Sequence, residues 1–185
     1  MDATLALVAQ HRVIEQLFDE IAYAARRRAR SSFVSRLAEE LIAHLAAEEA
    51  VFYPAVRCVL DELPDEGGRG GDEHLFLRAE LRNVLKTNVG DPSFRERIAV
   101  LRALFGEHVR SEEADLFPRV VRAVSQAERD ALGAEILASR PHVWIVTTEG
   151  KMPVDAGGEL RSRLTLLLSA ASAEARDSAQ RRLQH

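Results

Sequence analysis

The chain has 185 residues and a net charge of −4, from 25 Lys and Arg against 29 Asp and Glu. That length predicts one domain with an adequate core, and the single cysteine, Cys58, excludes an intramolecular disulfide framework or a cysteine-rich zinc module. The acidic balance argues against nucleic acid as partner, and without a signal-like leader or an apolar run of about 18 residues the chain reads as cytoplasmic, with no membrane helix.

Abundant alanine, with few Thr, Ile and Tyr, favours helix over sheet. Apolar residues then recur at helical spacing in four segments. The first spans about 4–28, with Leu7, His11, Ile14, Phe18 and Ile21 on one stripe. It ends in Arg26, Arg27, Arg28 and Arg30, where cations suit a helix C-terminus. The second starts near Ser32 and aligns Leu37, Leu41, His44, Glu48, Val51, Ala55 and Val59. Residues 61–71, rich in glycine and holding Pro64, read as a break. Asp72 then caps a third helix carrying His74, Leu77, Leu81, Val84 and Leu85. Asp91-Pro92 opens the fourth, whose stripe is Ile98, Leu101, Phe105, His108, Glu112, Leu116 and Val120.

These segments predict an all-α, antiparallel four-helix bundle over residues 1–124. A C-terminal helical extension occupies 125–185. In it Ser125-Gln-Ala-Glu128 forms a capping box for a short helix, and 140–158 is irregular. A final helix over about 159–182 either folds back on the bundle or pairs with a second copy as a homodimer.

Each bundle helix places one histidine on its apolar stripe: His11, His44, His74 and His108. In the second and fourth, a glutamate follows four residues later on the same face, Glu48 and Glu112. A buried carboxylate is costly unless paired or bound to a cation. Two carboxylates among four imidazoles point to a metal pair, and the donor set suits iron, manganese or zinc.

The chain also repeats. His44-Leu-Ala-Ala-Glu48-Glu49-Ala50 through Pro54 aligns without a gap to His108-Val-Arg-Ser-Glu112-Glu113-Ala114 through Pro118, offset by 64 residues; His11 and His74 are offset by 63. A hairpin bearing His and then His-x-x-x-Glu therefore occurs twice, as two halves of a pseudo-twofold site. Pro54 and Pro118 each remove a helical hydrogen bond and predict a kink just beyond it.

In this doubled His-x-x-x-Glu-Glu…Phe/Tyr-Pro pattern, residues 8 to about 122 resemble the hemerythrin HHE cation-binding family. The resemblance implies a four-helix bundle holding a non-haem centre of two irons, oxo- or hydroxo-bridged. His11, His44, Glu48, His74, His108 and Glu112 match its ligand positions, the two glutamates as bridges. Hemerythrins that carry O2 reversibly have another histidine one turn after the third-helix one, and here that position is Arg78, which cannot act as a ligand. Roughly two of about twelve coordination positions then stay open. The resemblance thus implies catalase- or peroxidase-like reaction with peroxide or O2, tied to oxidative stress. A non-enzymatic sensor of O2, NO or iron, or an iron-handling protein, is the alternative.

Other residues carry weaker signals. Glu15 follows His11 by four and is either a further donor or a solvated carboxylate. Glu49 and Glu113 point about a hundred degrees from the ligand glutamates and suit surface or supporting roles. Arg78 either pairs with a supporting carboxylate or extends to solvent. Tyr53 is Phe117 in the other repeat; on an ideal helix it lies opposite His44, which favours packing. Cys58 reads as a buried thiol, and His142 and His185 carry no metal signal. His74, in the first turn after the glycine-rich break, is expected to be the most mobile of the six.

Overall fold

The Asp2 carboxylate accepts the Thr4 backbone N–H at 2.9 Å and its hydroxyl at 2.8 Å, satisfying an otherwise orphaned donor at the start of a helix. From there α1 runs Ala3–Tyr23. In a computed structural model of the chain, residues 1–60 and 66–139 are described, and every regular element among them is helical. α2 comprises Arg27–Ala47, a π-helical turn Glu48–Phe52 and a last segment Tyr53–Val59. α3 spans Glu66–Lys86. α4 repeats the plan of α2, with Ser93–Ser111, a π-helical turn Glu112–Leu116 and Phe117–Ala123. α5 is Gln126–Ala138, opened by the expected capping box between Ser125 and Glu128.

Short connections between α1 and α2 and between α3 and α4 return the chain on itself, giving two antiparallel hairpins in a four-helix bundle. Asp91 starts α4 as expected, its carboxylate accepting from the Ser93 N–H at 2.9 Å and hydroxyl at 2.7 Å.

Three boundaries differ from expectation. α1 stops at Tyr23, so Arg27, Arg28 and Arg30 lie in the opening turns of α2 rather than at the end of α1. Arg30 nevertheless serves the α1 C-terminus by reaching back to donate to the Ala24 carbonyl at 2.7 Å. α3 begins at Glu66 and runs through the glycines, so Asp72 is interior to it and His74 is in its third turn. Glycine costs about 1 kcal/mol per helical position but does not bar a helix. Finally, the kinks expected at the prolines are π-helical turns. The N–H of Tyr53 and of Phe117 donates to the carbonyl five residues back, of Glu48 and Glu112 respectively. One residue is thereby inserted into each turn, so the side chains beyond it point about 100° away from their α-helical directions.

The buried apolar residues fall into two clusters. One joins Ile14, Phe18, Leu37, Leu41, Leu77, Leu81, Phe94 and Phe105 from all four bundle helices. The other joins Ala3, Leu7, Phe52, Val56, Phe117 and Val120 with Ile136 of α5. The stripe histidines and glutamates lie between the two. The final helix, with its expected fold-back or dimer contact, and His142 and His185 lie outside the described residues, and the Cys58 side chain is likewise not described.

α5 closes the second cluster by clamping the N-terminus. Buried Arg129 donates from Nε to Asp2 Oδ2 at 2.6 Å, from Nη1 to the carbonyls of Val121 and Val124, and from Nη2 to Gln126 at 2.7 Å. Gly133 permits this approach, because a Cβ there would stand 2.0 Å from the Met1 carbonyl oxygen and 2.9 Å from the Ala3 nitrogen. Gly133→Ala must therefore push backbone apart. It should destabilise the protein by about 1–3 kcal/mol, read as a fall of several degrees in Tm.

Burial opposes ionisation of Asp2, but hydrogen bonds from Arg129 and Thr4, together with the Arg129 charge, draw its carboxyl down from 3.8 to about 2. Stability from this depressed value is complete above about pH 4 and is lost as pH falls through about 2. We expect Asp2→Asn to cost about 2 kcal/mol at pH 7 and to lose its effect at pH 2, measured by urea unfolding across that range.

Candidate metal centre

α1 contributes His11, α2 His44 and Glu48, α3 His74, and α4 His108 and Glu112. All six are buried, Glu48 completely. One donor atom from each of His11, His44, Glu48, His108 and Glu112 lies within 4.8 Å of every other. Glu48 Oε1 is 3.1 Å from His44 Nε2 and its Oε2 is 3.2 Å from His74 Nε2, which ties His74 to the group. Glu112 Oε2 is 3.3 Å from His11 Nε2 and 3.7 Å from His108 Nε2. The structure thus brings together all six residues singled out from sequence.

The imidazole rings form two close pairs, His11 with His44 at 4.7 Å between centroids and His74 with His108 at 5.1 Å. Each pair takes one ring from the first helix of a hairpin and one from the second, and the repeat maps one pair onto the other. Phe105 lies against His11, His44 and His108 on one side. Phe117 stacks on His11 from the other side, 5.9 Å away and 7° from parallel.

Every ring also has an outer neighbour at Nδ1. His11 Nδ1 donates to Glu113 Oε1 at 2.8 Å, and His74 Nδ1 to Glu49 Oε1 at 2.8 Å. His44 Nδ1 donates to Gln10 Oε1 at 3.1 Å, and Glu73 Oε2 stands 3.5 Å from His108 Nδ1. In His11, His44 and His74 a proton held at Nδ1 leaves the Nε2 lone pair facing inward, the tautomer a metal requires, whereas His108 Nδ1 makes no hydrogen bond and its Nε2 lies 3.3 Å from that of His44. Burial also lowers the His74 pKa, against the pull of Glu49, which favours the neutral ring.

Glu49 and Glu113, for which the sequence allows surface or supporting roles, hold the two lone histidines. Gln10 and Glu73 carry a sequence signal too simple to stand out: each immediately precedes the lone histidine of its hairpin. Arg78 grips Glu49 with two hydrogen bonds, of 2.6 and 2.8 Å, and is itself buried. Half-burial raises the Glu49 pKa, yet His74 and Arg78 together bring it down to about 2. Arg12 donates one hydrogen bond to Glu113 at 2.5 Å and also holds Glu15 at 2.8 Å on the surface, so Glu15 stays out of the site. His74 stands in the interior of α3 rather than in its first turn, with Nδ1 held by Glu49 and Nε2 facing Glu48 and Tyr53.

Tyr53 also departs from expectation. Its hydroxyl donates to Glu112 Oε1 at 2.9 Å and lies 3.3 Å from His74 Nε2. The π-helical turn ahead of it has rotated the ring from the packing side into the site. Burial, then the charges of Glu48 and Glu112, drives its pKa far upward, so in the metal-free protein the phenol keeps its proton.

His11 Nε2, both oxygens of Glu48 and Oε2 of Glu112 are buried and make no hydrogen bond. Leaving such atoms unsatisfied costs about 1–3 kcal/mol each, and more when charged. Convergent imidazoles and carboxylates, with several inward atoms that make no hydrogen bond, fit a bound cation.

Comparison with known proteins agrees with this chemistry. The sequence profile described as Hemerythrin HHE cation binding domain matches residues 2–120. The fold is similar to the crystal structure of a hemerythrin HHE cation-binding domain-containing protein from Mycobacterium kansasii. The TM-score is 0.70 at 22% identity, over 89% of this chain and 99% of that one. A DNA nickase from Nostoc sp. is 25% identical over 133 residues, which are 72% of this chain and 37% of that protein. The chain therefore matches little more than a third of that relative's length.

Burial and the neighbouring Glu112 raise Glu48 well above its usual 4.5, whereas His11 and His108 outweigh burial and lower Glu112. Without metal, support from protonated Glu48 is complete below about pH 4.5 and is lost as pH rises through the raised value. We expect Glu48→Gln, which cannot ionise, to remove this dependence. It should stabilise the metal-free protein by about 1–3 kcal/mol at pH 8, measured by urea unfolding in a chelator. A variant weaker than the parent at every pH would contradict it.

Proposed function

The chain belongs to the hemerythrin HHE cation-binding domain family, and from that premise we propose that its buried cluster holds a pair of irons and reacts with peroxide or O2 in a catalase- or peroxidase-like way. His11, His44, His74 and His108 would hold the metals and Glu48 and Glu112 would bridge them, joined by an oxo or hydroxo group. Bound there, the irons supply redox chemistry toward small oxidants. The observation that carries this reading is the convergence of five donors within 4.8 Å, inside an apolar bundle and without hydrogen-bond partners of their own for several of their inward atoms.

The protein's own groups shape what reaches the centre. Phe52, Phe105 and Phe117 keep bulk water from the imidazoles and carboxylates, which suits a small uncharged ligand such as H2O2, O2 or NO. Tyr53 holds a proton on its hydroxyl oxygen and directs it at Glu112 Oε1. Glu49 and Glu113 keep His74 and His11 in the Nδ1–H tautomer. Arg78 is committed to Glu49, so the position where an oxygen carrier has a further histidine offers no donor here. That absence leaves room for turnover rather than simple storage.

We also carry a second reading, a non-enzymatic sensor of O2, NO or iron or an iron-handling protein. It is favoured by α5, where Ile136 packs in one cluster with Val51 and Phe52 of the π-helical turn that starts at Glu48. A change at that glutamate is thereby in contact with a helix beyond the bundle. As to other partners, among the described residues no helix is long and apolar enough to cross a membrane, and the net charge of −4 favours no nucleic acid. A cytoplasmic setting accords with these properties.

Metal content per chain and the visible spectrum, before and after H2O2, test the proposal. Two irons with an oxo-bridge absorption, together with O2 released from peroxide, are expected. Two irons without turnover transfers the assignment to the sensor or iron-handling reading. Zinc, or no metal, rejects the di-iron centre.

A further inference from the structure

The two hairpins repeat the inward donors faithfully but not the groups behind them. Repeat-equivalent positions 49 and 113 are both glutamate, each facing a histidine Nδ1 at 2.8 Å and each held by an arginine, Arg78 on Glu49 and Arg12 on Glu113. These charges balance between the halves. Positions 10 and 73 do not: the amide of Gln10 accepts a hydrogen bond from His44 Nδ1 at 3.1 Å, and the carboxylate of Glu73 places its charge 3.5 Å from His108 Nδ1 without a hydrogen bond. The pair Tyr53 and Phe117 differs in the same direction, with a hydroxyl 3.3 Å from His74 Nε2 and a bare phenyl stacked on His11. Both differences make the His74/His108 half richer in anionic and oxygen groups than the His11/His44 half.

We infer that the two halves of the centre are unequal in metal affinity, with the His74/His108 half loading first and tightly because Glu73 lies behind it, and the His11/His44 half loading second because Gln10 lies behind it. This rests on the metal-pair reading above. A carboxylate behind an imidazole raises its basicity and places a negative charge in the field of the metal, whereas an amide supplies orientation without charge. Changes at such outer partners typically alter metal affinity about 10- to 100-fold. Glu73 and Gln10 are thus positioning residues acting through His108 and His44.

The test is titration of the metal-free, full-length chain with Co(II) under argon, followed by calorimetry and by the visible bands of the bound ion. The parent protein should bind two ions in steps about tenfold or more apart. Glu73→Gln should weaken the tighter step about tenfold or more and leave the weaker one, closing the gap. Gln10→Glu should tighten the weaker step and close the gap from the other side. The two isosteric changes act in opposite directions, so a general loss of structure cannot imitate both. Two indistinguishable steps in the parent, a Glu73→Gln effect on the weaker step, or no shift in either variant each overturn the inference while leaving the metal pair intact. No uptake of metal by the parent overturns both.

Discussion

Burying two carboxylates and four imidazoles in one layer of an apolar bundle is the constraint on which the rest of this structure depends. Each group is expensive to desolvate, and the protein answers the expense in two directions. Outward, the Nδ1 atoms of His11, His44 and His74 donate to Glu113, Gln10 and Glu49, and Glu73 stands 3.5 Å from that of His108. Inward, the Nε2 atoms and the carboxylate oxygens converge, several of them without any hydrogen bond. The outer arrangement orients three of the rings by hydrogen bonds and the inner one is a demand for a cation. Phe105 and Phe117 wall the layer off, so the demand is not met by bulk solvent.

The π-helical turns belong to the same solution. Both start at the residue that supplies a carboxylate, Glu48 or Glu112, and both end two residues before a proline that has no N–H to give. Widening the helix by one residue accommodates Pro54 and Pro118 without a break and re-aims the side chains beyond the turn. Phe117 comes to stack on His11, and Tyr53 comes to hydrogen-bond Glu112. One backbone device thereby furnishes the repeat with both its apolar wall and its phenol.

The bundle, the stripes, the six convergent residues and the capping box at Ser125 are all legible in the sequence, because each depends on helical periodicity or on a local side-chain to backbone bond. The features that are not legible depend on departures from ideal helix geometry or on long-range choice of partner. Counting 100° per residue sends Tyr53 away from His44, and the count fails only because of the inserted residue at the turn. Arg78 has a surface and a buried option of similar cost; its choice is settled by Glu49, which arrives from another helix. The arginines after Tyr23 and the glycines before Asp72 depart from expectation because composition locates a boundary only loosely, and packing of the neighbouring helices decides the rest.

The outer partners divide in a further way. His44 leans on Gln10 and His108 on Glu73, each within its own hairpin, whereas His11 leans on Glu113 and His74 on Glu49, each across to the other. Each hairpin thus orients one of its own imidazoles and lends a carboxylate for the other's. Drawing the hairpins apart along their seam strips one ring of each close pair of its support and leaves its companion in place. The centre consequently acts as an internal check on assembly: only when both hairpins meet in correct register are all four rings aimed at a common point.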